Sequence, residues 1–354
     1  MKDKEFFCIE PYVGMSIIEP GHAFCCCLNE GQPITNTEDT WNDPYLISIR
    51  EKFNNNKIPK ECAPCVSNEK HTDGRSSRRL DSNRNWLFHK GNFEDYIEND
   101  APYKLDFWTG NICNLACVTC SADDSSFWAT IQKRNTATRI HRGKDPKNYT
   151  YKKEEVPNIN YKNLQWVHFN GGEPLLTDTH LKVLKRIPSQ QRNNVHVQYN
   201  TNGTVRADIH SEKYQIFKEF ISVNMMFSLD GIEETFEYTR WPAKWDKVRD
   251  NIDFWLEQAY ESNIVENDWH LELTFNIVKS AYNYDKIDET IEYVNNRWIT
   301  PIKESRPNQT QILRVFLCND HRHLDYTDED FKNFRKTAAY LKEKKQIDNL
   351  RKSR

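Results

Sequence analysis

From Lys104 onward the chain alternates two hydrophobic patterns. Short apolar runs closed by turn residues occur at KLDFW (104–108), LQWVHFN (164–170), VHVQYN (195–200), VNMMFSL (223–229), HLELTFNIV (270–278) and QILRVFL (311–317). Runs of this length, rich in β-branched and aromatic residues, read as strands. Between them lie THLKVLKRI, EKYQIFKEFI, KVRDNIDFWLEQAY and YDKIDETIEYVNNRW, whose apolar residues recur three and four apart and so predict amphipathic helices. Six strand–helix units favour an α/β fold with a parallel sheet, either doubly wound or an incomplete barrel.

The first hundred residues lack that rhythm. They hold short apolar runs, a turn at EPGHAF, and one helical pattern at DPYLISIREKF that ends in Asn-rich sequence. The polar stretch at 132–158 reads as a surface insertion, and LKEKKQIDNLRKSR at the end of the chain reads as a solvated helix face.

Composition narrows the class. Hydrophobic residues make up 37% and include 10 Trp, enough for a buried core. A formal net charge of −3 supplies no field that would gather nucleic acid, so a nucleic-acid partner is disfavoured. No run of apolar residues is long enough to span a bilayer, and MKDKEFFCIEPYVG has no secretory apolar stretch; the reading is cytoplasmic, without a membrane.

In a reducing compartment the 10 cysteines point to metal or redox use instead of disulfides. Nine fall before residue 121: Cys8, the triplet Cys25 to Cys27, the pair Cys62 and Cys65, and the trio Cys113, Cys117 and Cys120. Cys318 reads as a small buried hydrophobe in a strand.

Candidate chemistry collects where strands end. The trio follows KLDFW, NGGEPL follows LQWVHF, NTNG follows VHVQY, and SLDG closes VNMMFSL. Residues just past the carboxyl ends of parallel strands commonly form the site in such folds. Three thiolates can hold three irons of a cubane cluster and leave the fourth open to a chelating amine and carboxylate. Gly171 and Gly172 permit close backbone approach, Glu173 can accept from a ligand ammonium, Ser228 and Asp230 suit ribose hydroxyls, and Arg240 can pair with a carboxylate.

CNLACVTC followed by NGGEPLL resembles the radical S-adenosylmethionine superfamily, with its CxxxCxxC and GGE motifs in order. The resemblance covers 104 to about 320 and implies a partial (β/α)6 TIM-type barrel. It makes Cys113, Cys117 and Cys120 the ligands of a [4Fe-4S] cluster that binds S-adenosylmethionine. Gly171, Gly172 and Glu173 then serve its amino group, Ser228 and Asp230 its ribose, Arg240 its carboxylate, with Asn202 and Asn276 as cofactor or substrate contacts. The implied activity is reductive cleavage to a 5′-deoxyadenosyl radical that abstracts hydrogen from a substrate, the electron coming from a donor such as flavodoxin or ferredoxin. Thr119 departs from the family, which usually has an aromatic residue before the last cysteine.

Cys8, Cys62 and Cys65 with one of Cys25, Cys26 and Cys27, of which Cys26 has the spacing from Gly21 that favours it, resemble a twitch or SPASM-type auxiliary [4Fe-4S] module, placed here before the barrel instead of after it. Enzymes with that module often modify peptides or proteins, which makes a peptide the leading substrate and a small molecule or carbohydrate the alternative. The expected domains are 1–100 for this module, 101–320 for the barrel and 321–354 for a helical extension. Structural zinc at the four thiols, within an interaction module that is no enzyme, is the competing reading. His168 and His196 read as core or rim histidines, NDHRHLDYTDED (319–330) as a turn leading into a helix, and GRSSRR (74–79) as a linker.

Overall fold

The computed structural model describes residues 6–26, 31–71, 77–134, 150–262, 270–305, 313–319 and 326–352. Cys27, most of the 132–158 insertion, residues 74–76 of the basic stretch and 320–325 lie outside the described residues. The chain is a mixed α/β protein with a parallel-strand sheet, as the strand–helix alternation predicts. It divides into two compact units, one of 1–108, 151–169 and 182–196, the other of 109–150, 170–181 and 197–354.

In the first unit the strand order is β3-β2-β1-β4-β5, with β1 Gly14–Glu19, β2 His22–Phe24, β3 Gln32–Pro33, β4 Lys104–Trp108 and β5 Trp166–Asn170. Strands β1 and β2 form an antiparallel hairpin at the EPGHAF turn, where Gly21 adopts φ +78°. Parallel pairing of β1 with β4, from Gly14 beside Lys104 to Ile17 beside Phe107, was not foreseen from the sequence. Buried Glu10 fixes that pairing through the Lys104 ammonium at 2.8 Å. Lys104 and Arg78 hold its carboxyl below the usual range although burial works the other way.

The expected helix forms as Pro44–Asn54. Asp43 caps it, accepting from the Tyr45 amide at 2.9 Å and from the Thr35 and Asn36 amides at 2.7 and 2.9 Å, and Pro44 occupies the first turn where no N–H is required. Its Ile49 and Phe53 join Phe7, Ile9, Val13 and Phe24 in the core of this unit. His168 sits 3.1 Å from Asp106, and His196 packs on Trp166, consistent with histidines that serve packing.

In the second unit the order β6-β7-β8-β9 repeats the chain order, with β6 His196–Thr201, β7 Ser222–Ser228, β8 His270–Lys279 and β9 Leu313–Asn319. A doubly wound sheet would reverse direction from its first strand, whereas strands in chain order joined by helices are singly wound, as in barrels. Side chains alternate with period two. Val197 and Tyr199, Met225 and Phe227, and Leu273 and Phe275 are fully buried, and Phe275 stacks at 5.0 Å on Trp298 from the following helical segment. Gln198, Asn200, Asn224, Met226, Ser228, Glu272 and Asn276 fill the other, half-buried face. Cys318 lies in β9 as expected but is only half buried, so it differs from the core position assigned to it.

Candidate functional site

The cysteine loop is gripped by backbone bonds before any side chain acts. The Thr109 amide donates to Asn170 O at 2.9 Å, Gly172 N to Gly110 O at 2.8 Å and Glu173 N to Ile112 O at 2.8 Å, so the GGE segment zips onto the start of the loop. Farther along, Ala116 N donates to Trp241 O at 2.7 Å and Val118 N to Thr239 O at 2.9 Å. The helix Ser126–Arg134 closes it, with Trp128 Nε1 donating to Cys117 O at 2.8 Å.

The glycines are explained by this zip. Gly171 has φ +115°, and a Cβ there would lie 2.5 Å from Gly110 O; one on Gly172 would lie 2.4 Å from Ile112 O. Both therefore have a reason to be glycine in the fold itself, whatever ligand they also meet.

Two of the three thiols have N–H donors at their sulfurs. Leu115 N donates to Cys113 Sγ at 3.4 Å, Asn202 Nδ2 to the same sulfur at 3.8 Å, and Arg240 Nη1 to Cys117 Sγ at 3.8 Å. Burial, and then the neighbouring Cys117, pushes the Cys113 thiol up to about 12. Cys117 and Cys120 are also raised by burial, Cys117 against the downward pull of Arg240 and Cys120 with a further rise from Asp124. Binding a metal here must therefore displace protons.

Glu173 is wholly buried, and its carboxylate is occupied within the protein. It accepts from Asn202 N at 2.6 Å, Leu175 N at 3.1 Å and Thr201 Oγ1 at 3.0 Å. The side chain thus fixes the end of β6 and, through it, Asn202 beside Cys113. Burial outweighs these donors and raises its pKa to about 7. A carboxyl raised above its unfolded value stabilises the fold fully below the unfolded pKa, and that contribution is lost as pH rises through the folded one. From about 4.5 to about 7 the loss amounts to roughly 3 kcal/mol. Glu173→Gln is expected to flatten the fall in unfolding free energy across that window, measured by urea titration at a series of pH values; an unchanged slope would count against it.

Asp230 and Arg240 come together with each other. Their side chains pair at 2.8 Å, outside hydrogen-bonding angles, and Asp230 Oδ1 accepts from Val278 N at 3.0 Å. Asn283 Nδ2 also donates to the Asp230 carbonyl at 2.8 Å. Arg240 is 9% exposed and Asp230 1%, so this buried pair connects the Val278 amide of β8 to the Cys117 sulfur. Ser228 and Asn276 are register partners on the half-buried polar face.

Sequence reasoning named Ser228 and Asn276 on that face and passed over Gln198, Asn200 and Asn224. Gln198 Nε2 lies 3.9 Å from Met226 Sδ, and the side-chain oxygens of Asn200 and Asn224 are buried with no hydrogen-bond partner among the described residues. The signal was available: apart from Met226 and Val278, the residues that alternate with the buried ones in these strands are polar where a core-facing residue would be apolar.

In the first unit Cys8, Cys25, Cys26, Cys62 and Cys65 line one small enclosed pocket with Glu10, Arg78 and Arg79. The structure thus gathers the four thiols singled out from the sequence and adds Cys25. Cys62 is pushed up to about 12 by burial, then by Cys26 and Cys65. The helix Ala63–His71 that carries Cys65 is clamped by Arg79, whose guanidinium donates twice to Glu69 at 2.9 and 2.6 Å.

Among the described residues no three His, Cys, Asp or Glu side chains are gathered as a single metal ion requires. A four-iron cube gives each thiolate its own iron and spreads its anchors wider than a lone tetrahedral zinc does. Soft thiols with N–H donors aimed at their sulfurs, as at Cys113 and Cys117, fit such a cube.

No protein-family model and no curated relative matches the chain. Among solved structures it is similar to anSMEcpe with bound AdoMet, at 16% identity and TM-score 0.38 over 65% of this chain and 54% of that one. It is also similar to Streptococcus suis SuiB bound to S-adenosylmethionine, at 14% identity and TM-score 0.35 over 92% and 64%. SuiB bound to its precursor peptide SuiA gives 12% identity and TM-score 0.33 over 73% and 57%. The chain therefore spans less than two thirds of the length of these proteins, and overlaps this weak assign no function. No described helix is long and apolar enough to cross a membrane.

Proposed function

We propose that this chain is a radical S-adenosylmethionine enzyme. The observation that carries the reading is the loop of Cys113, Cys117 and Cys120, wrapped by the GGE segment and supplied with N–H donors at two of its sulfurs. In this reading the three thiolates hold a [4Fe-4S] cluster with one iron left for S-adenosylmethionine. The chemistry that group supplies when bound is one-electron cleavage of the sulfonium, giving a 5′-deoxyadenosyl radical for hydrogen abstraction.

The chain's own residues then act as supports. Glu173 fixes Asn202 beside Cys113, and Asp230 holds Arg240 so that a permanent positive charge faces Cys117. Gly171 and Gly172 would offer backbone to the methionyl amine, and Arg240 would pair with its carboxylate. Ser228, Asn276 and the newly recognised Gln198, Asn200 and Asn224 offer a polar floor for ribose and substrate. The apolar helix-facing side excludes water from the strands beneath.

Cys8, Cys26, Cys62 and Cys65 are proposed to hold an auxiliary [4Fe-4S] cluster that relays electrons or supports the fold, with Cys25 a further thiol in the same pocket. Residues 1–100 are proposed to supply that module, 101–320 the catalytic barrel and 321–354 the helical extension, a division by sequence that differs from the two compact units, where β4 and β5 fall with the first hundred residues. The proposed substrate is a peptide or protein, the electron donor a flavodoxin or ferredoxin, and the location the cytoplasm. Iron and sulfide analysis after anaerobic reconstitution is expected to give about eight irons per chain for two such clusters. About four would remove the auxiliary cluster, and a colourless, zinc-loaded, folded protein would remove the enzyme reading.

A further inference from the structure

The helix Ala338–Lys352 lies on the cysteine loop. Its Ile347 and Leu350 are buried in one cluster with Ala116, Val118, Ala122 and Trp128, against which Cys120 also packs. The expected solvated face thus holds for only one side of this helix.

That packing brings Arg351 to the point where the loop is held. Its guanidinium carbon lies 4.6 Å from the ring of Tyr238 and 5.5 Å from that of Trp241, the residue whose carbonyl takes the Ala116 amide. Nε and Nη2 of Arg351 are buried and have no hydrogen-bond partner among the described residues. Asp348, on the same helix, is engaged by Lys344 at 2.9 Å and by Tyr238 Oη at 3.2 Å. The other titratable groups whose charge Arg351 feels are Tyr238, Cys117 and Tyr282.

A buried guanidinium with two idle donor atoms is costly, and native proteins keep one where water or an ion outside the polypeptide completes it or where its charge serves a redox or catalytic role. Tyr238 and Trp241 offer their ring faces, which accept a cation without satisfying its N–H groups. Among the described groups whose charge it feels is the Cys117 sulfur, which becomes an anionic ligand once the loop holds a cluster.

We propose that Arg351 is a positioning residue for the iron–sulfur centre of the Cys113–Cys120 loop, raising the potential at which that centre accepts an electron. The inference rests on the cluster-binding reading of this loop. A fixed positive charge nearby favours the more negative, reduced state, and Arg351 does so from an element far along the chain, in addition to Arg240. The C-terminal helix is thereby coupled to the redox step: the electron comes from the external donor, the centre is reduced by one electron, and no proton or bond is required of Arg351.

The test is a redox titration of the reconstituted full-length protein, following by electron paramagnetic resonance the reduced signal that changes when S-adenosylmethionine is added. Arg351→Gln, which removes the charge, is expected to shift that midpoint potential to more negative values, while Arg351→Lys, which keeps it, stays near the wild type. A Gln variant that binds the same iron and titrates at the wild-type potential overturns the inference and leaves the enzyme reading intact. A wild type with no signal that responds to S-adenosylmethionine overturns both.

Discussion

Cys117→Ala is expected to fold, to lose about four irons after reconstitution and to form no 5′-deoxyadenosine. The fold survives because the contacts that place this residue are made by its backbone: Trp128 Nε1 binds its carbonyl, while Ala116 and Val118 on either side bond to Trp241 and Thr239. Removing one buried sulfur costs roughly 1 kcal/mol, within the ordinary range for a point substitution. The cluster has no such reserve. Two remaining thiols cannot anchor the cube, and the side chains bonded to these sulfurs, Asn202 at Cys113 and Arg240 at Cys117, are donors that suit sulfur as an acceptor. Iron content, circular dichroism and product analysis on one preparation separate these effects. Undiminished product from a folded Cys117→Ala protein would remove the assignment of this loop.

Asp230→Ala has the largest expected effect on stability. The carboxylate is 1% exposed, answers the Arg240 guanidinium at 2.8 Å and accepts the Val278 amide at 3.0 Å. Taking it away leaves a buried cation without its counter-charge, for which losses of about 3–5 kcal/mol are usual. Against a total of about 5–15 kcal/mol, that is a large fraction of the fold's margin. Urea unfolding should show it, and the double variant Asp230→Ala with Arg240→Met should recover part of the loss, since no unpaired charge then remains. A loss below about 1 kcal/mol for the single variant would mean that water reaches Arg240 and that the pair is not closed.

The two effects concern one assembly. Asp230 holds Arg240, Arg240 faces Cys117, and the carbonyls of Thr239 and Trp241 grip the amides on both sides of that cysteine. Disturbing Asp230 is therefore expected to loosen the loop as well as the fold.

Much of this was legible before any coordinates. Strands β4 to β9 stand out because their apolar residues alternate or run unbroken between Gly, Asn and Asp, and the cysteine and GGE segments follow two of them directly. The β1–β2 hairpin did not stand out: GMSIIE is six residues long, and its pairing with β4 spans some ninety residues, which no local pattern carries.

Residue roles were less legible than residue identities. Asp230 and Arg240 each look like ligand-binding groups, and only the three-dimensional arrangement reveals that they answer one another across a helix. Glu173 likewise spends its carboxylate on the Leu175 amide of its own turn and on Thr201 and Asn202, the latter two set by the end of a separate strand. The basic composition of the last helix masked Ile347 and Leu350, whose spacing of three places both on its buried side. Composition reports the solvent face of such a helix more loudly than the packed one.

The most direct measurement for the central claim is anaerobic incubation of the reconstituted wild-type protein with dithionite and S-adenosylmethionine, followed by quantification of 5′-deoxyadenosine. Formation of 5′-deoxyadenosine and methionine in equal amounts is the result this account requires. A protein that carries its full iron and sulfide yet leaves S-adenosylmethionine intact under those conditions would contradict it.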